Sequence, residues 1–261
     1  MIAIFLISVI SHFISAPDFS EVILNSVVEA KESPVMHGKK IPYPAEQDDK
    51  GNNQVEKLPV VVTGAKIRKN EAPAAFMLSG DGGWFGFEQS VADRLAELGI
   101  PVVGLDSRKY FWNRTTPEAT AKDIEKLLNY YGKKWNKKKF VLIGYSLGAE
   151  IVPFIYNRLT PQMKSEIKSI ALLSPETNTD FEIHISNMLG LGNKQNTYNV
   201  IDEIARIRGV PTLVIFGEGE KSVVPNLLKD LPVEIRKIPG DHHYKSDERL
   251  IVKTLMETKI I

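Results

Sequence analysis

Cysteine is absent, which excludes disulfides, thiolate metal sites and a cysteine nucleophile. Net charge is nearly absent too. The 33 Lys and Arg against 32 Asp and Glu leave +1, so a nucleic-acid partner held by bulk electrostatics is not expected. Histidine is scarce, with five in 261 residues, which narrows the search for a general base to a few positions. Internal repeats are missing. The glycine-rich stretch Leu78-Ser79-Gly80-Asp81-Gly82-Gly83-Trp84 lacks a following G-K-S/T, so it is not a phosphate loop. The N-terminal run MIAIFLISVI (residues 1–10) falls short of the ~20 residues a membrane-crossing helix needs, but it matches a signal-peptide core. Two features oppose that reading: no Lys or Arg precedes the core, and Pro17 follows the cleavage point at Ala16. A hydrophobic N-terminal strand or helix is the alternative.

What is present suits one globular domain, with 43% of residues hydrophobic and 25% charged. Residues 1–16 read as the signal peptide, 17–57 as a polar, proline-punctuated arm or linker, and 58–261 as the domain. Apolar runs of strand length occupy 59–62, 74–78, 101–105, 140–143, 170–173, 212–216 and 233–238. Segments 87–98 and 117–131 carry apolar residues at three- and four-residue spacing, and 250–256 reads as a closing helix. Continuous apolar strands alternating with amphipathic helices predict an α/β fold, a mostly parallel central sheet with helices on both faces. The basic run 133–139 reads as a solvated turn ahead of a strand, with contact to an anionic membrane as the alternative.

The most informative stretch is Gly144-Tyr145-Ser146-Leu147-Gly148, set between the apolar run 140–143 and the helix-like Ala149-Glu150-Ile151-Val152. A buried strand turning sharply into a helix at a serine flanked by glycines is the nucleophile elbow of α/β-hydrolases. The turn imposes strained backbone angles that only small flanking residues leave room for. A serine hydroxyl is a poor nucleophile until a histidine takes its proton and a carboxylate holds that histidine in the right tautomer. In this fold the acid and then the histidine follow the serine. His12 and His37 precede the domain, and His184 lies well before the late strands. That leaves Pro239-Gly240-Asp241-His242-His243-Tyr244, where two adjacent histidines cannot both face the serine. His242 is chosen, with His243 as the alternative. For the acid, Gly217-Glu218-Gly219-Glu220-Lys221 follows the run 212–216; Glu220 fits the usual spacing, ahead of Pro225, and Glu218 is the fallback.

An oxyanion hole needs two backbone N–H groups aimed at the developing charge. Leu147, after the serine, supplies one; the glycine-rich stretch supplies the other, from Asp81 or next from Gly82. The Asp81 carboxylate beside that hole would oppose the charge unless it points away or is neutralised. Glu150, one helical turn past the serine, is a second carboxylate near the elbow unless it is buried or paired. One of the two is expected to bind a cationic part of the substrate, such as an ammonium group. Tyr110-Phe111-Trp112 reads either as a lipid contact at the site mouth or as a packed aromatic patch, and Asp106 as a structural cap.

Together these blocks resemble the VirJ/AcvB family of bacterial α/β-hydrolases from Leu58 to the C-terminus, about three quarters of the chain. Beside the stretch 78–84, the elbow through Glu150 and the two late loops, the resemblance rests on Gly104-Leu105-Asp106-Ser107 with Tyr110-Phe111-Trp112. Pro153-Phe154, Tyr156-Asn157-Arg158-Leu159, Phe181-Glu182-Ile183-His184 and Leu189-Gly190 extend it. Leu147 and Tyr244 stand where the family commonly has phenylalanine, Glu150 where it has aspartate and Met188 where it has tryptophan. The resemblance implies a periplasmic or exported serine hydrolase that cleaves the aminoacyl ester of lysyl- or alanyl-phosphatidylglycerol at the membrane surface. Some members are linked to virulence and type IV secretion, so a secretion-system partner is a further expectation. Neither a metal nor an organic cofactor is expected. The rivals are a general carboxylesterase or thioesterase on soluble substrates and a non-catalytic secretion accessory protein with a hydrolase fold.

Overall fold

Each of the seven apolar runs becomes a strand, and all seven join one sheet. A computed structural model describes Val55, residues 57–183 and residues 197–261, which belong to one compact unit, Asp48–Ile261. The strands are β1 (Val60–Thr63), β2 (Ala74–Leu78), β3 (Val102–Leu105), β4 (Phe140–Tyr145), β5 (Ile167–Leu173), the two-residue β6 (Asn178–Thr179) and β7 (Tyr198–Asn199), β8 (Thr212–Gly217) and β9 (Glu234–Ile238). The main sheet runs β1-β3-β2-β4-β5-β8-β9. Only its edge strand β1 is antiparallel to its neighbour; the other pairs are parallel. β6 and β7 pair with each other, apart from this sheet.

The helices are α1 (Gly86–Glu97), α2 (Ser107–Tyr110), α3 (Pro117–Trp135), α4 (Leu147–Arg158), α5 (Pro161–Glu166), α6 (Val200–Ala205), α7 (Val224–Leu228) and α8 (Glu248–Glu257). Side chains alternate across a strand, so each central strand feeds two cores. Phe76, Leu142, Leu172 and Val214 pack with Ile124 and Leu127 of α3 and Ile151 and Ile155 of α4. Met77, Ile143, Ala171 and Ile215 pack with Val91 and Leu95 of α1 and Ile251 and Leu255 of α8. Burial on both faces explains why β2, β4 and β8 read as unbroken apolar runs.

The boundaries differ from the sequence reading where polar residues interrupt the pattern. β5 starts at Ile167, because Lys168 points to solvent and Ser169 is buried inside the strand. α3 continues to Trp135 and stops at Asn136, whose left-handed backbone (φ 52°) ends it. Lys133 and Lys134 therefore belong to its last turn, beside the negative pole of the helix dipole, rather than to a loop. Val55, placed by sequence in the arm, is buried as part of the same core cluster. The expected signal peptide, nearly all of the arm and the positions His184, Met188, Leu189 and Gly190 lie outside the described residues. Among the described residues no helix is long and apolar enough to cross a membrane.

Candidate active site

β4 ends at Tyr145 and α4 begins at Leu147, so the whole reversal falls on Ser146, at φ 51° and ψ −119°. The neighbouring glycines are required by space. A Cβ on Gly148 would lie 2.1 Å from the carbonyl oxygen of Leu78, and one on Gly144 would lie 2.3 Å from that of Gly148. Both obstacles are backbone and cannot swing away. The Ser146 N–H donates to the Leu173 carbonyl at 2.9 Å, which ties the turn to β5.

The sheet order then assembles the rest. β4, β5, β8 and β9 are consecutive neighbours, so the connections leaving their carboxyl ends meet along one edge. Ser146 leaves β4, Ser174 leaves β5, Glu220 follows β8 and His242 follows β9. His242 Nε2 lies 3.1 Å from Ser146 Oγ, and its Nδ1 lies 3.2 Å from Glu220 Oε2. An ionised carboxylate only accepts, so the imidazole proton sits on Nδ1 and the Nε2 lone pair faces the serine hydroxyl. The other oxygen of Glu220 accepts from Ser174 Oγ and from the Gly217 N–H, each at 2.6 Å. Burial works to raise the Glu220 pKa, but hydrogen bonds from His242, Ser174 and Gly217 outweigh it and hold the carboxyl below its ordinary range. The hydrogen bond to Glu220 raises the His242 pKa above that of a free imidazole; burial opposes this, while the charges of Glu220, Glu176 and Asp81 add to it.

The two alternatives from sequence fall elsewhere. His243 Nδ1 lies 2.7 Å from the Tyr145 hydroxyl, and His243 is bound to the Asp241 carboxylate through its own N–H. Glu218 is exposed, and its backbone N–H bonds the Ile238 carbonyl. Of the carboxylates proposed for a cation, Asp81 is exposed, whereas Glu150 is 7% exposed in the first turn of α4. The helix thus turns Glu150 into the protein, while Asp81 faces solvent.

Of the N–H groups named for an oxyanion, that of Leu147 directly follows the serine. Leu147 opens α4, so its N–H has no intrahelical acceptor. Gly80–Gly83 forms a turn closed by the Gly83 N–H on the Gly80 carbonyl (3.1 Å), which leaves the N–H groups of Asp81 and Gly82 out of that bond. A Cβ on Gly80 would lie 3.4 Å from Ser146 Cβ, so the loop sits against Ser146. Glu88 of α1, 4% exposed, reaches back to accept from the N–H groups of Gly80 (3.4 Å) and Phe85 (3.3 Å). Burial raises its pKa against those bonds.

Sequence reasoning missed Ser174, Glu176, Glu88 and the role of Tyr244. Ser174 stands at the end of a buried strand, a weak signal. The Tyr244 hydroxyl lies 2.5 Å from Ser174 Oγ and 3.0 Å from the Ile215 carbonyl, contacts that a phenylalanine there could not make. The aromatic trio divides: Tyr110 donates to Asp123 at 3.1 Å, Phe111 is fully buried and Trp112 is 49% exposed. Asp106 caps α2 by accepting from the Lys109 N–H. The Asn157-Arg158 block ties α4 to the buried Glu203 of α6 rather than to the site. Among the described residues, no group of three or more His, Asp or Glu side chains is placed to hold a metal ion.

A parallel sheet with one antiparallel edge, a serine at a strained strand-to-helix turn and a histidine loop after the last strand define the α/β-hydrolase fold. Over residues 73–260 the chain matches the family described as bacterial virulence protein (VirJ), and it belongs to that family. Solved structures with the same fold include Est1E from Butyrivibrio proteoclasticus with ferulic acid bound (16% identity, TM-score 0.57, covering 78% of this chain and 94% of that one). A hydrolase from Oleispira antarctica is also similar (13%, 0.56, 79% and 96%), as is proline iminopeptidase of Mycobacterium smegmatis (15%, 0.54, 77% and 95%). No curated protein matches the chain significantly.

Proposed function

We propose that the protein is a serine ester hydrolase that cleaves the aminoacyl ester of lysyl- or alanyl-phosphatidylglycerol at a membrane surface outside the cytoplasm. The observation that carries the chemistry is the linked set Ser146 Oγ, His242 and Glu220, joined at 3.1 and 3.2 Å. Ser146 Oγ attacks the ester carbonyl while His242 Nε2 takes its proton, and Glu220 holds the resulting imidazolium. The N–H groups of Leu147 and of Asp81 or Gly82 stabilise the tetrahedral oxyanion. Collapse breaks the bond to the lipid glycerol, whose oxygen receives the proton from His242. Water, deprotonated by His242, then releases the amino acid and restores Ser146.

The amino-acid part of the reading is supported by family membership and by charge. Asp81 and Glu176 are exposed and both act on His242, so an α-ammonium entering beside the ester would meet carboxylates. The apolar run at residues 1–10 supports export. Amino-acid release from lysyl- and alanyl-phosphatidylglycerol vesicles, with wild type against Ser146→Ala, is the test. The variant is expected to lose on the order of 10⁴-fold or more in rate. Turnover of simple soluble esters with no release from either lipid would transfer the protein to the carboxylesterase rival. A biological phenotype that survives Ser146→Ala would favour the accessory-protein rival.

A further inference from the structure

Four large apolar side chains are exposed on connections that leave the carboxyl ends of parallel strands: Phe85 (63%) after β2, Trp112 (49%) after β3, and Val223 (61%) and Leu227 (51%) after β8. Ser146 lies on the same edge of the sheet. Phe85 and Trp112 line a groove of 570 Å³ together with Gly82, Arg108 and Lys109. That volume is within the usual range of ligand sites. Lys109 pairs with the buried Asp106 at 3.1 Å. Arg108 is exposed and has no ion pair or hydrogen bond among the described residues. Two cations against one carboxylate leave the groove with one surplus positive charge.

We infer that this groove binds the phosphodiester of an anionic glycerophospholipid still seated in its membrane, with Arg108 on the phosphate and Phe85 and Trp112 in the interfacial layer. The inference rests on the lipid-ester reading above and adds to it a site for the alcohol side of the substrate. A guanidinium matches two phosphate oxygens at once. Aromatic rings left in water by a fold partition favourably at the headgroup level. Asp81 precedes Gly82 in the chain and is exposed, available to an ammonium on the acyl group, and Arg108 lines the groove, available to a phosphate on the leaving group.

The test uses the full chain carrying Ser146→Ala, so that lipid is bound but not consumed. Two of the three tryptophans, Trp84 and Trp112, line the groove, so intrinsic emission reports its occupancy. Phosphatidylglycerol vesicles are expected to blue-shift the emission and to co-sediment the protein, whereas phosphatidylcholine vesicles are not. Each basic charge near an anionic surface contributes about fivefold in binding, so Arg108→Glu should weaken vesicle binding about 25-fold and Arg108→Lys by no more than about fivefold. Circular dichroism of Arg108→Glu verifies its folding. Equal binding by Arg108→Glu and its parent overturns the groove, as does equal binding to the two vesicle types or equally tight binding of soluble glycerol phosphate. Loss of vesicle binding in Arg108→Glu alongside a wild type that hydrolyses no aminoacyl lipid would keep the groove and remove the proposed function. Hydrolysis with Arg108-independent binding would do the reverse.

Discussion

At the elbow one residue, Ser146, has a positive φ, whereas the histidine loop places Gly240, Tyr244, Lys245 and Ser246 there. The elbow is held by sterics. Gly144 and Gly148 let α4 press against the backbone of β2 and β4, and no other residue fits. The histidine loop is held by polar contacts from distant parts of the chain. Three consecutive non-glycine residues at φ 51°, 52° and 56° each carry a cost of roughly 1–2 kcal/mol. They are retained where Tyr244 reaches Ser174 and Ile215 and where the Asp241 carboxylate accepts from the N–H groups of His243 and Lys245. A constraint of space selects residue types and leaves a motif; a constraint of hydrogen bonding can be met by many residues and leaves little trace.

A large effect is expected from the acid that joins the two regions. Glu220→Gln should cut kcat by on the order of 10³–10⁴-fold, because an amide can no longer hold the tautomer that bares Nε2. It should also move the pH profile. His242 must be unprotonated to act as base, and its bond to Glu220 raises its pKa, so the rate of the wild type climbs with pH through a midpoint above ~6.5. In Glu220→Gln that limb should move to lower pH while the plateau falls. A limb that stays in place would mean His242 owes its titration to another group.

Gly148→Ala tests the steric half. With its Cβ at 2.1 Å from the Leu78 oxygen, the variant should lose about 3 kcal/mol or more, read as a drop in Tm of roughly 10 °C. A Tm close to wild type would show that α4 can shift and that the elbow is less constrained than its contacts indicate. Ser174→Ala tests the hydrogen-bonded half, since it removes a 2.6 Å donor from Glu220. A hydrogen bond to a charged group is worth about 1.5–3 kcal/mol, so at least a tenfold loss in kcat is expected with little change in KM. An unchanged kcat would mean that the Gly217 N–H suffices to hold the carboxylate.

The smallest effect separates the neighbouring histidines. His243→Gln should cost less than about tenfold in kcat, because the side-chain hydrogen bond it breaks, to Tyr145, is worth roughly 0.5–1.5 kcal/mol. His242→Gln should match Ser146→Ala. Equal losses in the two histidine variants would show that the loop rearranges to present either ring.

Most of the fold was legible. The central strands β2, β3, β4 and β8 are buried on both faces, so nearly all their residues are apolar, and α1, α3 and α8 each show one apolar stripe. What escaped was short or polar: β6 and β7, at two residues each, carry no periodicity, and Lys168 and Ser169 hid the start of β5. In the site, Ser146 was evident because a strained turn and close packing leave few choices at five consecutive positions. The Glu218–Glu220 loop and the His242–His243 pair followed from their places after β8 and β9.

The choice between His242 and His243 belongs to the tertiary structure, because it depends on which ring faces a serine 96 positions earlier in the chain. The same holds for Ser174 behind Glu220, for Glu88 beneath the glycine loop and for Glu150 turned inward while Asp81 stays open. Each is set by neighbours that the sheet order β4-β5-β8-β9 brings together, and contacts across that order leave no spacing in the sequence to read. The sequence by itself determined the layered fold, the elbow and the residue types at the end of each late strand, because burial and backbone sterics act locally.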